Sequence, residues 1–129
     1  MIPSLSNDFL IRIKNGSRAG RKTITAVGSK YCVSMAALMK KYGYIADYKV
    51  ADDVKKEITI ALAYDDKTPR ITDIELFSRP GRRMYEKSFS LPWGKSKQAL
   101  IIISTSAGVM SQKEAKSKGL GGEIIAEIY

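Results

Sequence analysis

The chain has 129 residues, a formal net charge of +9 at pH 7, one cysteine and no histidine. This length can bury one hydrophobic core, or two small ones leaning on each other, and excludes two large independent domains. A single cysteine without histidine excludes an intrachain disulfide framework and a zinc site on the usual ligands, and the longest strongly apolar run, Ala99 to Ile103, is far short of the roughly 20 residues of a membrane-spanning helix. The first residues carry neither the basic and apolar segments of a secretory signal nor the Arg-rich, acid-free character of a transit peptide. A reducing, cytoplasm-like compartment is therefore expected.

The basic excess is uneven. Residues 1–41 hold Arg12, Lys14, Arg18, Arg21, Lys22, Lys30, Lys40 and Lys41 against Asp8 alone, so +7 of the +9 falls in the first third. Such a segment serves as an electrostatic contact surface for polyphosphate, or is a basic but merely solvated face.

Ser6 predicts the cap of a first helix with Phe9, Leu10 and Ile13 on one apolar stripe, Arg12 and Lys14 turned away from it, and Asn15-Gly16 as its end. Past the loop through Gly20, Thr23 to Val27 reads as a short strand. Ser29 caps a second helix running through Met35, Leu38 and Met39 to Tyr42, stopped by Gly43. Tyr44 to Val50 and Glu57 to Tyr64 follow as strands, the second with Ile58, Ile60, Leu62 and Tyr64 on one face. Asp52-Asp53 and Asp65-Asp66 mark turns. A meander of strands covered by two helices is the expected assembly.

In the second half, Ile71 to Phe77 reads as a strand ending at Ser78-Arg79-Pro80-Gly81, and Leu91-Pro92-Trp93-Gly94 as a further break. Leu100 to Ile103 is a buried strand leading into Ser104-Thr105-Ser106. Ser111-Gln112-Lys113-Glu114 is a capping box that opens a short helix to Lys118, ended by Gly119. Glu123 to Ile128 closes the chain as a strand in which Ile124, Ala126 and Ile128 oppose Ile125 and Glu127. The fold class is α+β with two small lobes. Residues 1–66 form an N-terminal α-β-α-β-β lobe, and residues 67–129 form a mostly antiparallel β lobe with one short helix.

Candidate chemistry gathers in the second lobe. Ser104-Thr105-Ser106 presents three hydroxyls before a permissive Gly108, suited to base edges, phosphates and the 2′-OH of RNA, or equally to a turn bonding its own backbone. Gly121-Gly122-Glu123 removes side chains and then supplies a carboxylate, which allows close approach of a ligand or simply a tight helix-to-strand turn. Arg79, Arg82, Arg83 and Tyr85 place guanidinium groups and a phenol around a turn, an arrangement for phosphate pairing and base stacking or a solvated turn with Tyr85 in the core. Ser29-Lys30 at a helix start is either a phosphate anchor or plain capping. Gly94-Lys95-Ser96 imitates the end of a phosphate loop, but Phe89 stands where that motif needs its first glycine. Cys32, among apolar helix residues, reads as a buried inert thiol, and the acidic pairs as surface turns. No histidine is present to activate a serine, so the chain is read as no enzyme, without cofactor or metal.

Taken in order, Arg12-Ile13-Lys14-Asn15-Gly16, Ser29-Lys30, Ser78-Arg79-Pro80-Gly81, Tyr85, Ser104-Thr105-Ser106-Ala107-Gly108-Val109-Met110 and Gly119-Leu120-Gly121-Gly122-Glu123-Ile124 resemble the S-eight family, the eighth protein of the small ribosomal subunit. The resemblance spans nearly the whole chain. It implies a structural constituent of the small subunit that binds a helix in the central domain of small-subunit rRNA and helps assemble the platform. Carried over, it implies contact of Ser104, Thr105 and Ser106 with the irregular core of that helix, Gly108, Gly121, Gly122 and Glu123 beside them, and Tyr85 nearby; Arg83 joins them as an RNA-binding candidate on the reading of its turn alone. Ser29 and Lys30 would anchor the first lobe to phosphates. Expected partners are small-subunit rRNA and neighbouring small-subunit proteins, with no membrane and no small-molecule substrate, in a cytoplasmic or, alternatively, organelle-encoded ribosome. The alternative function is a nucleic-acid chaperone or an mRNA-binding translational regulator outside the ribosome.

Overall fold

A computed structural model describes residues 4–51, 57–78, 84–87 and 99–129, with side chains from residue 7 onward. The elements in chain order are α1 (Ser4–Arg18), β1 (Thr23–Val27), α2 (Lys30–Lys41), β2 (Ile45–Val50), β3 (Glu57–Leu62), β4 (Tyr64–Asp65), β5 (Thr68–Pro69), β6 (Ile74–Leu76), β7 (Tyr85–Glu86), β8 (Leu100–Thr105), β9 (Gly108–Ser111), α3 (Gln112–Ser117) and β10 (Gly122–Ile128). The fold is α+β, with an N-terminal α-β-α-β-β portion followed by a C-terminal β-rich lobe. The readings at Asp52-Asp53, Arg79 to Arg83, Leu91 to Gly94 and Gly94-Lys95-Ser96 lie outside the described residues. Among the described residues no helix is long and apolar enough to cross a membrane.

The first helix begins before Ser6 and runs past Gly16 to Arg18, longer at both ends than its sequence signals predict. Phe9, Leu10 and Ile13 are buried as their spacing requires, each worth about 1.5–3 kcal/mol against exposure. Gly16 does not stop the helix because its role is tertiary. A Cβ there would lie 2.5 Å from Ile24 Cγ2 and 3.4 Å from Leu62 Cδ1, so its absence lets α1 rest directly on the sheet. Termination comes at Gly20, whose φ is +72°. There the N–H of Arg21 reaches the Gly16 carbonyl at 3.0 Å and that of Gly20 reaches Ser17 at 3.2 Å, the paired bonds of a left-handed glycine stop. The Ser29 hydroxyl caps α2 by accepting from the Cys32 N–H, and Cys32 is buried.

Strands β1, β3 and β2 pair in that order, with β3 in the middle, rather than as a sequential meander. Ile58, Ile60 and Leu62 turn toward the helices, while Tyr64 leaves this alternation to start the small β4–β5 hairpin, where its hydroxyl donates to the Arg21 carbonyl. In the second sheet the order is β6-β10-β8-β9, with β7 also pairing β10. All pairings described are antiparallel. Strand β6 covers only Ile74–Leu76 of the predicted Ile71 to Phe77. The N–H groups of Thr72 and Asp73 are taken instead by the Tyr129 carbonyl, at 2.6 and 3.0 Å.

Two hydrophobic clusters use opposite faces of this second sheet. Leu100, Ile102, Ile125, Ala126 and Ile128 join Phe9, Leu10, Ile13 and the α2 residues in one continuous cluster that links the two portions of the chain. Ile101, Ile103, Met110 and Ile124 pack with Ala115 of α3 on the other side. Strict alternation along β10 fails because the register shifts between Ile124 and Ala126, a bulge that sends Ile125 to the larger cluster. Polar links reinforce the junction. The Asn7 amide donates to the buried Ser78 carbonyl at 3.3 Å, and Asp73 faces Lys14 and Arg18 of α1, each at 3.2 Å.

Candidate nucleic-acid interface

Ser104 to Met110 is a hairpin rather than a loop after a strand: β8 continues through Thr105, turns at Ser106-Ala107 and returns as β9. Gly108, with φ +115°, sits just after the turn, where an L side chain would be strained. Thr105 holds the tip. Its hydroxyl donates to the Gly108 carbonyl at 2.8 Å and accepts from the Ala107 N–H at 3.1 Å. The threonine thus bonds its own turn, while Ser104 and Ser106 make no side-chain hydrogen bond among the described residues. Ser106 is exposed and Ser104 half-buried.

The other end of the hairpin is also secured. Ser111 ends β9 and caps α3, accepting from the Glu114 N–H at 3.2 Å. The next residue, Gln112, is buried, and its side chain accepts from the Ile101 N–H at 2.9 Å and donates to the Ala99 carbonyl at 3.3 Å. The Ile101 N–H thereby finds a partner on the edge of β8 that β9 does not reach, β10 pairing the other edge.

Register aligns four strands at the hairpin. Tyr85 pairs with Glu123, Glu123 with Ser104, and Ser104 with Val109. Directly opposed residues in antiparallel strands share a face, so an exposed phenol, a carboxylate, a hydroxyl and an aliphatic side chain form one transverse row. Tyr85 is 60% exposed, against the alternative that placed it in the core, whereas Glu123 is 2% exposed and engaged within the chain. Next to this row, Gly122 lies against β8. A Cβ on it would overlap the Ser104 carbonyl oxygen and lie 2.9 Å from the Ser104 carbonyl carbon and 3.2 Å from Thr105 Cα. The glycine is therefore needed for close approach of the protein's own backbone.

Of the sequence-derived candidates, Tyr85, Ser104, Thr105, Ser106, Gly108, Gly121, Gly122 and Glu123 come together on β7, β8, β9 and β10 and their connections. Ser29 and Lys30 stand apart at the start of α2, and Arg83 lies outside the described residues. The Ser29 hydroxyl is used as a cap, and the exposed Lys30 ammonium has no ion-pair partner among the described residues. Sequence reasoning missed Val109. It enters the row only by pairing with Ser104, and Gly108-Val109-Met110-Ser111 has no apolar alternation to mark it. Among the described residues no cluster of metal-ligating side chains occurs.

The charge is distributed less freely than its count implies. Lys14 and Arg18 are turned to Asp73, and Lys40 to Asp47 at 3.0 Å. Arg12, Arg21, Lys22, Lys30 and Lys41 have no such partner among the described residues.

Comparison with known proteins gives the family. The family described as Ribosomal protein S8 matches residues 5–129. Small ribosomal subunit protein uS8 of Aliivibrio fischeri (strain MJ11) is 42% identical over 122 residues, covering 95% of this chain and 94% of that protein. The uS8 protein of Vibrio cholerae (strain O395) is 43% identical with the same coverage, and that of Spiroplasma kunkelii 38% identical, covering 95% of each chain. These matches define the class as a structural, ribosomal one. Within it, the chain belongs to the ribosomal protein S8 family.

Proposed function

We propose that this protein binds small-subunit rRNA directly, at a helix in the central domain, and helps assemble the platform of the subunit in a bacterial cytoplasm. The observation that carries this reading is the hairpin tip, where Thr105 fixes the turn and leaves the exposed Ser106 hydroxyl unpaired. Ser106 and Ser104 act as donors and acceptors toward the 2′-OH and base edges of an irregular helix. Tyr85 offers a stacking surface. Gly121, Gly122, Gly108 and the buried Glu123 shape the strand crossing beneath them, and Lys30, with Arg83, supplies phosphate contacts.

The test is binding of the full chain to an isolated central-domain rRNA helix, compared with a scrambled duplex at near-physiological salt. A clear preference for the rRNA helix is expected. Equal affinities would overturn the reading and favour a general nucleic-acid chaperone, which has charge without a defined recognition surface.

A further inference from the structure

Asn15 and Gly16 together carry both reactants of a self-modification. The exposed Asn15 carboxamide is an electrophile, and the main-chain nitrogen of Gly16 is a nucleophile that can close a five-membered ring on it, unhindered because glycine has no side chain. We propose that Asn15-Gly16 is a latent deamidation site which the fold keeps shut, so that a chain that has lost the packing of α1 is converted there, irreversibly, to an isoaspartyl form.

The chemistry needs only the chain and water. The Gly16 nitrogen bonds to the Asn15 carboxamide carbon and gives up its proton, the bond from that carbon to the side-chain nitrogen breaks, and ammonia leaves with the proton. Water then opens the resulting succinimide at one of its two carbonyls. Attack at the former side-chain carbon gives aspartate, and attack at the main-chain carbon gives isoaspartate, whose backbone is longer by a methylene. Nothing is oxidised or reduced.

Packing both creates the hazard and contains it. A Cβ at position 16 would lie 2.5 Å from Ile24 Cγ2, so the seat of α1 on the sheet requires the glycine that makes Asn15 vulnerable. Within α1 the Gly16 N–H is committed to the Arg12 carbonyl, and helical ψ turns the nitrogen away from the carboxamide carbon. Ring closure therefore demands that the helix open at Asn15. That residue lies in the last turn, where an isolated helix frays, but here the turn is pinned from outside. The Asn15 carbonyl accepts from the Ala19 N–H at 2.9 Å and the Gly16 carbonyl from the Arg21 N–H at 3.0 Å, while the Tyr64 hydroxyl holds the Arg21 carbonyl. The Asn15 carboxamide itself makes no hydrogen bond among the described residues, so only the backbone restrains it.

The other asparagine of the chain, Asn7, is an internal control. It is followed by Asp8 rather than glycine, and its amide is bound to the Ser78 carbonyl. Conversion at Asn15 has a consequence that conversion to plain aspartate would not. The additional methylene displaces Gly16 from Ile24 and breaks the helical register that leads to the stop at Gly20.

The test incubates the full chain at neutral pH in buffer and in urea, and follows the peptide Asn15 to Lys22, released by a lysine-specific protease, by chromatography and mass spectrometry. In urea, isoaspartate should accumulate at position 15 while Asn7 stays intact; in buffer the reaction should be slower by at least about tenfold, since only the opened helix reacts. Gly20→Ala has room for its Cβ but must hold it at φ +72°, so it should speed the reaction in buffer about tenfold and leave the rate in urea unchanged. On dilution from urea, unconverted chains and the Asn15→Asp variant should refold and isoaspartyl chains should not. Equal rates in buffer and urea, no conversion in urea, or an unaltered rate of Gly20→Ala in buffer overturns the gating. Refolding of the isoaspartyl form to native stability overturns its irreversibility.

Discussion

Gly122 and Ser104 are in main-chain contact: no side chain separates strand β10 from the Ser104 carbonyl, and none could be accommodated there. The hairpin that carries Ser106 is therefore held by backbone apposition. Gly122→Ala should force β8 and β10 apart and cost about 1–3 kcal/mol, the usual penalty for overpacking. Urea denaturation measures the loss. Wild-type stability in this variant would mean that the two strands yield freely.

Ser106 and Thr105 should separate recognition from support. Ser106→Ala removes an unpaired, exposed hydroxyl, so stability should stay within about 0.5 kcal/mol while preference for the rRNA helix over scrambled duplex falls. Thr105→Val deletes both bonds that hold the turn and should cost about 1 kcal/mol or more, with Thr105→Ser recovering most of it. Parallel thermal melts and affinity ratios decide the matter. An unchanged ratio in Ser106→Ala removes Ser106 from the recognition surface.

At the start of α2, neighbouring residues should behave oppositely. Ser29→Ala loses the cap to Cys32 N–H and should lower stability by about 1 kcal/mol. Lys30→Ala should leave stability nearly untouched, yet weaken cognate and scrambled RNA alike, with a slope smaller by about 0.7–0.9 for one phosphate. The assignment of Lys30 to phosphate contact is lost if its removal changes the cognate complex alone.

Acid should loosen the junction at Asp73. Burial pushes its carboxyl upward, but the Ile74 N–H, Lys14 and Arg18 outweigh that and hold it below its ordinary value. Because the folded value is the lower one, the contribution is fully present above the ordinary carboxylate pKa of about 3.9 and disappears as pH falls through the folded value. Asp73→Asn should be about 1 kcal/mol less stable at pH 7, and the gap should narrow as pH falls below the ordinary carboxylate value and close once it has fallen through the folded one. Denaturation midpoints of both proteins at pH 7 and through an acid series test this. A gap that persists undiminished in acid would exclude the carboxylate charge as its source.

Much of this architecture is legible locally. Ser29 and Gly43 bracket α2, and Ser111 and Gly119 bracket α3, because capping depends on residues adjacent to the helix end. What escapes local reading depends on partners distant in sequence. Asn15-Gly16 carries the same stop signal as Gly20, and only the methyl of Ile24 pressing on Gly16 tells them apart. Likewise β6 is shortened by the carbonyl of Tyr129, and β3 takes the middle of the first sheet although β1 and β2 precede it. At the interface the residues are recognisable but their roles are not. Nothing in Ser104-Thr105-Ser106 distinguishes the hydroxyl that braces the turn from those left open, and Glu123 gives no sign that it is buried.

Strand β10 has neighbours on both edges, β8 on one side and β6 and β7 on the other, and its bulge feeds both hydrophobic clusters. It is also translated after every strand that it joins. During synthesis β6 and β7 lack the partner that β10 supplies, and β8 has only its β9 edge paired, until residues beyond Gly122 emerge. The second lobe therefore closes in one late event, and the surface bearing Ser104, Ser106 and Tyr85 does not exist on the nascent chain before it.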